Sequence, residues 1–384
     1  MLRKIAIARG GKRQGSRRED VFATPPASEI MAILCLSNCL DELKKRIGNI
    51  LVGFTYSGEP VFFHQLGFEG AITALLKDAL KPNLAQTTEN TPAIVHGGPF
   101  ANIAQGANSI IGTKTALKLS DYVVTEAGFG FDLGAEKFFD LVCKYGNLCT
   151  DAVVLVATVR ALKMHGGVKL KDLGEPNPEA VTKGLENLDK HLENIEKFGM
   201  KSIVAINRFP SDTAEELAIV KEHVEEKGFL ASIVDYHAKG GAGGLELAET
   251  VMNMVDSEEC RYHGLYDWNS PVKDKIFTVA SEIYGAQQVD YTAEAKANLR
   301  RINKYGFDKL PICIAKTQKS LSDNPDLIGR PKDFLVTVRE IAIANGAGFL
   351  IPITGEIMRM PGLPRRPSAE NIDVHAGGTI EGIF

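Results

Sequence analysis

The sequence predicts an α/β protein built on a parallel sheet, with a smaller α/β unit in its final third. Three observations carry this. Through the middle of the chain, short apolar runs pass into Gly-rich or polar breaks and then into helical patterns, the rhythm of βαβ units. AVVLVATV at 152–159 is a continuous run rich in β-branched residues, of the kind buried on both faces of a parallel sheet. Leu185, Leu188, Leu192 and Ile195 recur at spacings of three and four, marking one apolar helix face, and the apolar run KSIVAIN follows at once.

Taken in order, IMAILCLSNCL reads as a helix that places Cys35 and Cys39 on one face, as buried structural thiols. PAIVHGGPFANIAQGANS opens a strand at Ile94 and Val95 and turns at His96, Gly97 and Gly98. In DYVVTEAGFGFDLGAEKFFDLV a strand runs through Val124. A loop of Glu126, Gly128, Phe129 and Gly130 follows, then a helix capped by Asp132. The run at 152–159 ends in Arg160 and Lys163, and the amphipathic helix after it stops at Gly199. Beyond KSIVAIN, Asp212 or Thr213 caps the helix EELAIVKEHVEEKG, and the strand FLASIV leads into Asp235, Tyr236, His237 and the loop AKGGAGG. The helix LELAETVMNMV comes next. The last third holds helices SPVKDKIFTVASEIYG and EAKANLRRINKYG, a strand LPICIAK, and TVREIAIANGAGFLIPITG. The 384 residues suit two to three domains, with boundaries near 187 and 283, and no internal repeat is visible.

Composition narrows the function. The 44 basic and 48 acidic residues leave a net charge of −4, so no chain-wide positive field exists to hold a nucleic-acid backbone or an anionic membrane. The six cysteines form neither a dense disulfide framework nor paired CxxC metal knuckles, which fits a reducing cytoplasm. No apolar stretch reaches the ~20 residues of a membrane-spanning helix. The first eighteen residues carry seven Lys or Arg and no acid, a composition that admits a transit peptide.

Ligands of open parallel sheets bind beyond the carboxyl ends of the strands, where backbone amides and helix N-termini converge. Four such ends here carry polar or glycine-rich loops: HGGPF, TEAGFG, NRFPSDT and DYHAKGGAGG. Gly240, Gly241, Gly243 and Gly244 would let backbone amides approach a phosphate, with Lys239 adding charge, or would serve as a structural turn. Neither GxxxxGK[ST] nor GxGxxG occurs, and GANSIIGTKT at 106–115 is only an imitation of the first. The eight histidines show no metal-ligand spacing, and no metal site is expected. His96, at a strand end beside two glycines, is the strongest candidate among them, with a hydrogen-bonding structural role as the alternative. His191 and His375 read as incidental and Trp268 as structural. Phe209 either stacks on a ligand or anchors its loop.

Several strings, in this order, resemble the formate–tetrahydrofolate ligase family: KPNLAQTTENTPAIVHGGPFANIAQGANS, DYVVTEAGFGFDLGAEKFFD, GLENLDKHLENIEKFG, AINRFPSDT, AKGGAGGLELA, FDKLPICIAKTQKSLSD and MPGLPRRPSAENIDV. The resemblance runs from about Ala27 to Phe384. It implies ATP-dependent joining of formate to tetrahydrofolate: formate attacks the γ-phosphate to give formyl phosphate, whose carbon is then attacked by N10 of the folate. It further implies ATP, Mg²⁺ and a monovalent cation such as K⁺ or NH₄⁺ as cofactors, a homotetramer, and a cytoplasmic enzyme. The implied fold is a parallel sheet like that of P-loop NTPases with two smaller α/β domains. Residues 1–187 would be the remainder of the nucleotide-binding domain, 188–282 the domain with the folate pocket, and 283–384 the C-terminal domain.

Residue by residue, the resemblance makes Phe209 the ring that stacks on the pterin, with Ile233 and His237 completing the folate pocket. His237 stands where the family usually has tryptophan, which offers more stacking area. Gly97, Gly98, Gly128, Phe129 and Lys239 fall on the nucleotide and formyl phosphate side, and His96, Glu126 and Asn207 are the candidate catalytic residues. Phe131 replaces a usual alanine. The family's P-loop lies upstream of these segments, so the resemblance implies a C-terminal portion whose sheet lacks its N-terminal strands. ATPP also stands in place of a DITV-like stretch. Two further readings are a non-catalytic folate-binding or subunit-interaction remnant of that enzyme, and an unrelated anion-binding α/β protein.

Overall fold

The computed structural model describes residues 4–7, 18–21, 25–256, 261–357 and 366–382. The expectations placed on the basic opening of 1–18, on ATPP, on Cys260, on MPGLPRRP and on the chain's last residues lie wholly or partly outside these ranges.

The described chain opens with an antiparallel pair, β1 (Lys4–Ile7) and β2 (Arg18–Val21). Ser28 accepts a hydrogen bond from the Met31 amide and so caps α1 (Glu29–Leu36). The predicted helix through Cys39 breaks here. Ser37 Oγ donates back to Ile33 O at 2.7 Å, and the Asn38 amide turns to Glu42, restarting the chain as α2 (Leu40–Gly48). Cys35 is therefore buried, and Cys39 is exposed at the new helix start rather than beside it.

Two further hairpins follow, β3 (Leu51–Phe54) with β4 (Pro60–Phe62), and, after α3 (Glu69–Leu76), β5 (Asn83–Gln86) with β6 (Pro92–Val95). Ile94 and Val95 thus form the strand expected of them, but in an antiparallel hairpin outside the parallel sheet. Next come α4 (Ile110–Leu119), then a long helix with π-type turns at Phe131–Ala135 and Phe138–Cys143 that ends in α5 (Lys144–Gly146). The strand expected to end at Val124 does not form. Residues 121–125 find no paired neighbour, and Val124 is exposed. Asp132 lies inside the helix rather than at its cap, which falls at Gly130.

The parallel sheet has the order β7 (Val153–Ala157), β8 (Ser202–Asn207), β9 (Leu230–Val234). Its crossovers are α6 (Val159–His165), α7 (Pro178–Glu196) and α8 (Ala214–Glu226). Asn177 caps α7 through the Ala180 amide, with Pro178 at the first helical turn. Leu185, Leu188 and Leu192 pack with Leu217, Val220 and Val224 on one face of β8, against Val204 and Ile206. At Gly184 a Cβ would collide with the Leu162 carbonyl, so α6 and α7 approach at backbone distance. Ile203, Ala205 and Val234 face the other way, onto Leu247 and Met254 of α10 (Leu245–Asp256), which follows the single turn α9 (Tyr236–Lys239).

The continuous apolar run at 152–159 misled in one respect. Only β8 is covered on both faces. β7 is an edge strand, and Val154 and Val156 are exposed at 37% and 63%.

In the last third α11 (Val272–Thr278) runs on through a π-type turn to Tyr284. It precedes β10 (Gln288–Tyr291), α12 (Ala293–Lys304), β11 (Leu335–Ala344) and β12 (Phe349–Thr354). β10 and β11 are parallel, β11 and β12 antiparallel. LPICIAK is not a full strand: it touches β12 through the Cys313 and Ala315 amides, while Pro311 has no amide to give. A short pair, β13 (Asp373–Val374) and β14 (Ile380–Glu381), comes last.

One large core joins α1 and α2 to the helix 131–146, to Ile195 and Phe198, and to the unit from α11 to β12. The bulky Phe131 sits inside it, its ring 5.8 Å from Phe198 and 5.9 Å from Phe139. The boundary expected near 187 falls within α7, and that near 283 within the turn after α11. No helix among the described residues is long and apolar enough to cross a membrane. Cys35, Cys39, Cys143 and Cys313 are free, and Cys149 is disulfide-bonded.

Candidate functional site

The carboxyl ends of β7, β8 and β9 lie side by side because the three strands are parallel and in register. Arg160, just after β7, places its guanidinium 5.9 Å from the centroid of the Phe209 ring, just after β8. The Phe209 amide donates to Asp212 at 2.8 Å, fixing the turn that carries the half-buried ring. Thr213 and Glu216 then form a reciprocal capping box for α8, and the Glu216 carboxylate meets the Lys163 ammonium at 3.1 Å with both side chains buried. Ile233, in register with Ile206, turns a partly exposed side chain toward α8 and lines a cleft of about 470 Å³ with Arg208, Ala214, Leu217 and Lys221. His237 and Lys239 project into solvent from α9. Phe209, Ile233 and His237 therefore sit at two adjacent strand ends.

The glycine loop has one occupant already. The Gly241 amide donates to the Glu89 carboxylate at 2.7 Å, and the Gly243 carbonyl accepts from the Asp235 amide at 3.0 Å. Gly240 takes φ +57°, a value that favours glycine.

Just after β6, His96 is buried and both ring nitrogens are used. Nε2 lies 2.7 Å from the Ala79 carbonyl, so it carries the proton, and Nδ1 accepts from Ser109 Oγ at 2.5 Å. Ser109 Oγ in turn caps α4 through the Gly112 amide. Both His96 ring nitrogens thus make hydrogen bonds within the fold. Gly97 has φ +70° and passes against Cys35 Sγ, with Gly98 next to it, while Gly128 donates to the Gly106 carbonyl at 2.9 Å. Phe129 holds φ +62° and is 57% exposed as a residue, a strained backbone at the surface. Glu126 is exposed, and Asn207 is half-buried at the end of β8.

Behind the Gly128–Gly130 turn lies a polar cluster that the sequence did not announce. Lys316 meets Asp132 at 2.7 Å, and its ammonium lies 5.1 Å from the centroid of the Tyr284 ring. Burial opposes the charge on Asp132 most strongly, but the Lys316 ammonium, His191 and hydrogen bonds together outweigh it and hold the carboxyl below its usual range. One turn on, burial and then the Asp140 carboxylate push Glu136 well up, and burial brings Asp140 to about 7. His191 is half-buried beside this cluster, and desolvation lowers its pKa. A signal for it existed: His191 lies three residues from Leu188 and four from Ile195, on the same helix face. His165, lowered by burial to about 4, accepts the Gly329 amide through Nδ1 at 3.1 Å.

A short parallel sheet with Phe209 and a glycine loop beyond its carboxyl ends defines a protein of the α/β class. Two comparisons refine that class. The family model for formate–tetrahydrofolate ligase matches residues 1–384. The formate–tetrahydrofolate ligase of Syntrophus aciditrophicus (strain SB) is 61% identical over 382 residues, a match that covers 100% of this chain and 68% of that relative. The chain belongs to the formate–tetrahydrofolate ligase family. The family match spans the whole chain, which covers about two thirds of that relative's length.

Proposed function

We infer that this protein is a ligase that joins formate to tetrahydrofolate at the expense of ATP, giving 10-formyltetrahydrofolate, ADP and phosphate. The observation that carries this reading is the placing of Phe209, Ile233 and His237 in or just after the adjacent strands β8 and β9, in a chain 61% identical to a relative of that name. Formate oxygen attacks the γ-phosphorus and ADP leaves; N10 of the folate then attacks the formyl carbon and phosphate leaves. Phe209 would stack on the pterin, with Ile233 and His237 as the remaining walls. Gly97, Gly98, Gly128, Phe129 and Lys239 would face the nucleotide and formyl phosphate, where positioning and charge neutralisation do most of the catalysis. Glu126 and Asn207 remain the proposed catalytic side chains; His96 supports the turn that carries Gly97.

Several finer points belong to the same reading. The parallel sheet is proposed to be of P-loop NTPase type, with division into 1–187, 188–282 and 283–384. Among the described residues no group of three or more His, Cys, Asp or Glu is placed to hold a metal ion, so Mg²⁺ would arrive on the nucleotide phosphates. A monovalent cation, a homotetramer and a cytoplasmic location are proposed from the family alone.

A second reading, a folate-binding protein without turnover, is favoured by one observation: residues 1–384 contain no GxxxxGK[ST] lysine to handle the phosphates. The deciding experiment is formation of 10-formyltetrahydrofolate by the purified chain. Product that depends on formate, ATP and tetrahydrofolate together supports the ligase, and saturable folate binding without product supports the second reading.

A further inference from the structure

We propose that Glu89 is a positioning residue for the folate site: by holding the Gly241 amide it fixes α9, and with it His237, as one wall of the pterin pocket. This deepens the folate reading above and rests on it.

The argument starts from the weakness of α9. Tyr236–Lys239 is a single helical turn, and a single turn does not repay the entropy of its own nucleation. Its cap residue Asp235 supplies no side-chain hydrogen bond. What holds the turn comes from outside it. The Asp235 amide donates to the Gly243 carbonyl at 3.0 Å, the Tyr236 ring lies close against Gly244, and Glu89 accepts from Gly241 at 2.7 Å. The first two contacts are local. The third comes from the tip of the β5–β6 hairpin and ties the loop to a distant part of the chain.

The hairpin is built to deliver this carboxylate. Thr87 and Thr91 close the turn through Thr87 N to Thr91 O at 3.0 Å and Thr91 N to Thr87 Oγ1 at 3.0 Å. Asn90 takes φ +67° between them. β6 then runs directly into His96, Gly97 and Gly98. The bond therefore links the turn on the proposed formyl phosphate side to the loop that ends the folate side. The Glu89 carboxylate lies close against Gly240 and Gly241. His237 makes no hydrogen bond of its own among the described residues, so its position is that of the turn carrying it.

The test is equilibrium tetrahydrofolate binding to the full chain and to four variants: Glu89→Ala, Glu89→Gln, His237→Ala and the double variant Glu89→Ala/His237→Ala. Glu89→Ala is expected to raise Kd about three- to tenfold, the scale of one hydrogen bond to a charged group at an exposed position. Glu89→Gln keeps an acceptor oxygen and is expected to bind within about twofold of the parent. In the His237→Ala background the Glu89→Ala change is expected to add nothing, because the wall it positions is gone. A merely structural role for Glu89 would lower the melting temperature and leave the two effects additive. Additive effects, or a Glu89→Ala variant that binds like the parent, overturn the proposal. If His237→Ala alone binds like the parent, the folate reading itself fails and takes the proposal with it.

Discussion

The Lys316 ammonium and the Asp132 carboxylate meet at 2.7 Å with almost no side-chain surface left to water. The pair ties the helix after the Gly128–Gly130 turn to the segment that runs beside β12. Lys316 also donates to the Thr317 carbonyl at 2.9 Å and to the Ser320 carbonyl, so its charge is well surrounded. Removing one partner of such a pair leaves the other buried and uncompensated. Lys316→Met is expected to cost about 3–5 kcal/mol in urea unfolding. The double variant Lys316→Met/Asp132→Leu should recover most of that loss. A single-variant cost below about 1 kcal/mol would show that the pair is not the closed unit described here.

Stability should also carry the signature of Glu29. Its carboxyl is raised by burial from 4.5 to about 7, against the hydrogen bonds it accepts from the Ala347 and Gly346 amides. Between these two values the folded state holds a proton that the unfolded state has released. The contribution is therefore complete below about pH 4.5, is lost as pH rises through about 7, and is flat above. Glu29→Gln should remove a fall of about 2–3 kcal/mol across that window, measured as the difference between parent and variant urea melts at pH 5 and pH 8. Parallel curves for the two proteins would contradict the assignment.

His96 gives a sharper contrast between structure and catalysis. Ser109 caps α4 and at the same time satisfies His96 Nδ1, so Ser109→Ala removes a cap and orphans a buried ring nitrogen. Thermal melting should report a loss of about 1–3 kcal/mol. His96→Gln should likewise lower the melting temperature. If His96→Gln melts like the parent yet abolishes product formation, His96 acts in the chemistry and not in the fold.

Much of this architecture could be read from the sequence, for a physical reason. β8, β9, α7, α8 and α12 bury their apolar faces within their own local units, so hydrophobic period and capping residues suffice to find them. What escaped is what depends on distant partners. AVVLVATV has the composition of a central strand, yet β7 is an edge, because strand order is not a local property. DYVVT has strand propensity and no neighbour to pair with. Asp132 looks like a cap until Lys316 arrives from the last third of the chain. At the proposed site, Phe209 stood out because it follows a strand, while Ile233 and His237 came only from the family resemblance. Glu89 was not legible, since nothing in its turn announces that the carboxylate reaches Gly241.

The central claim is that the strand ends of β8 and β9 bind the pterin of tetrahydrofolate. The most direct test is an equilibrium tetrahydrofolate titration of the purified 384-residue chain beside Phe209→Ala and His237→Trp. The account predicts saturable binding by the parent, a Kd raised roughly tenfold by Phe209→Ala, and tighter binding by His237→Trp, with each variant still melting cooperatively. Saturable binding that neither substitution alters would place the folate elsewhere and contradict the account.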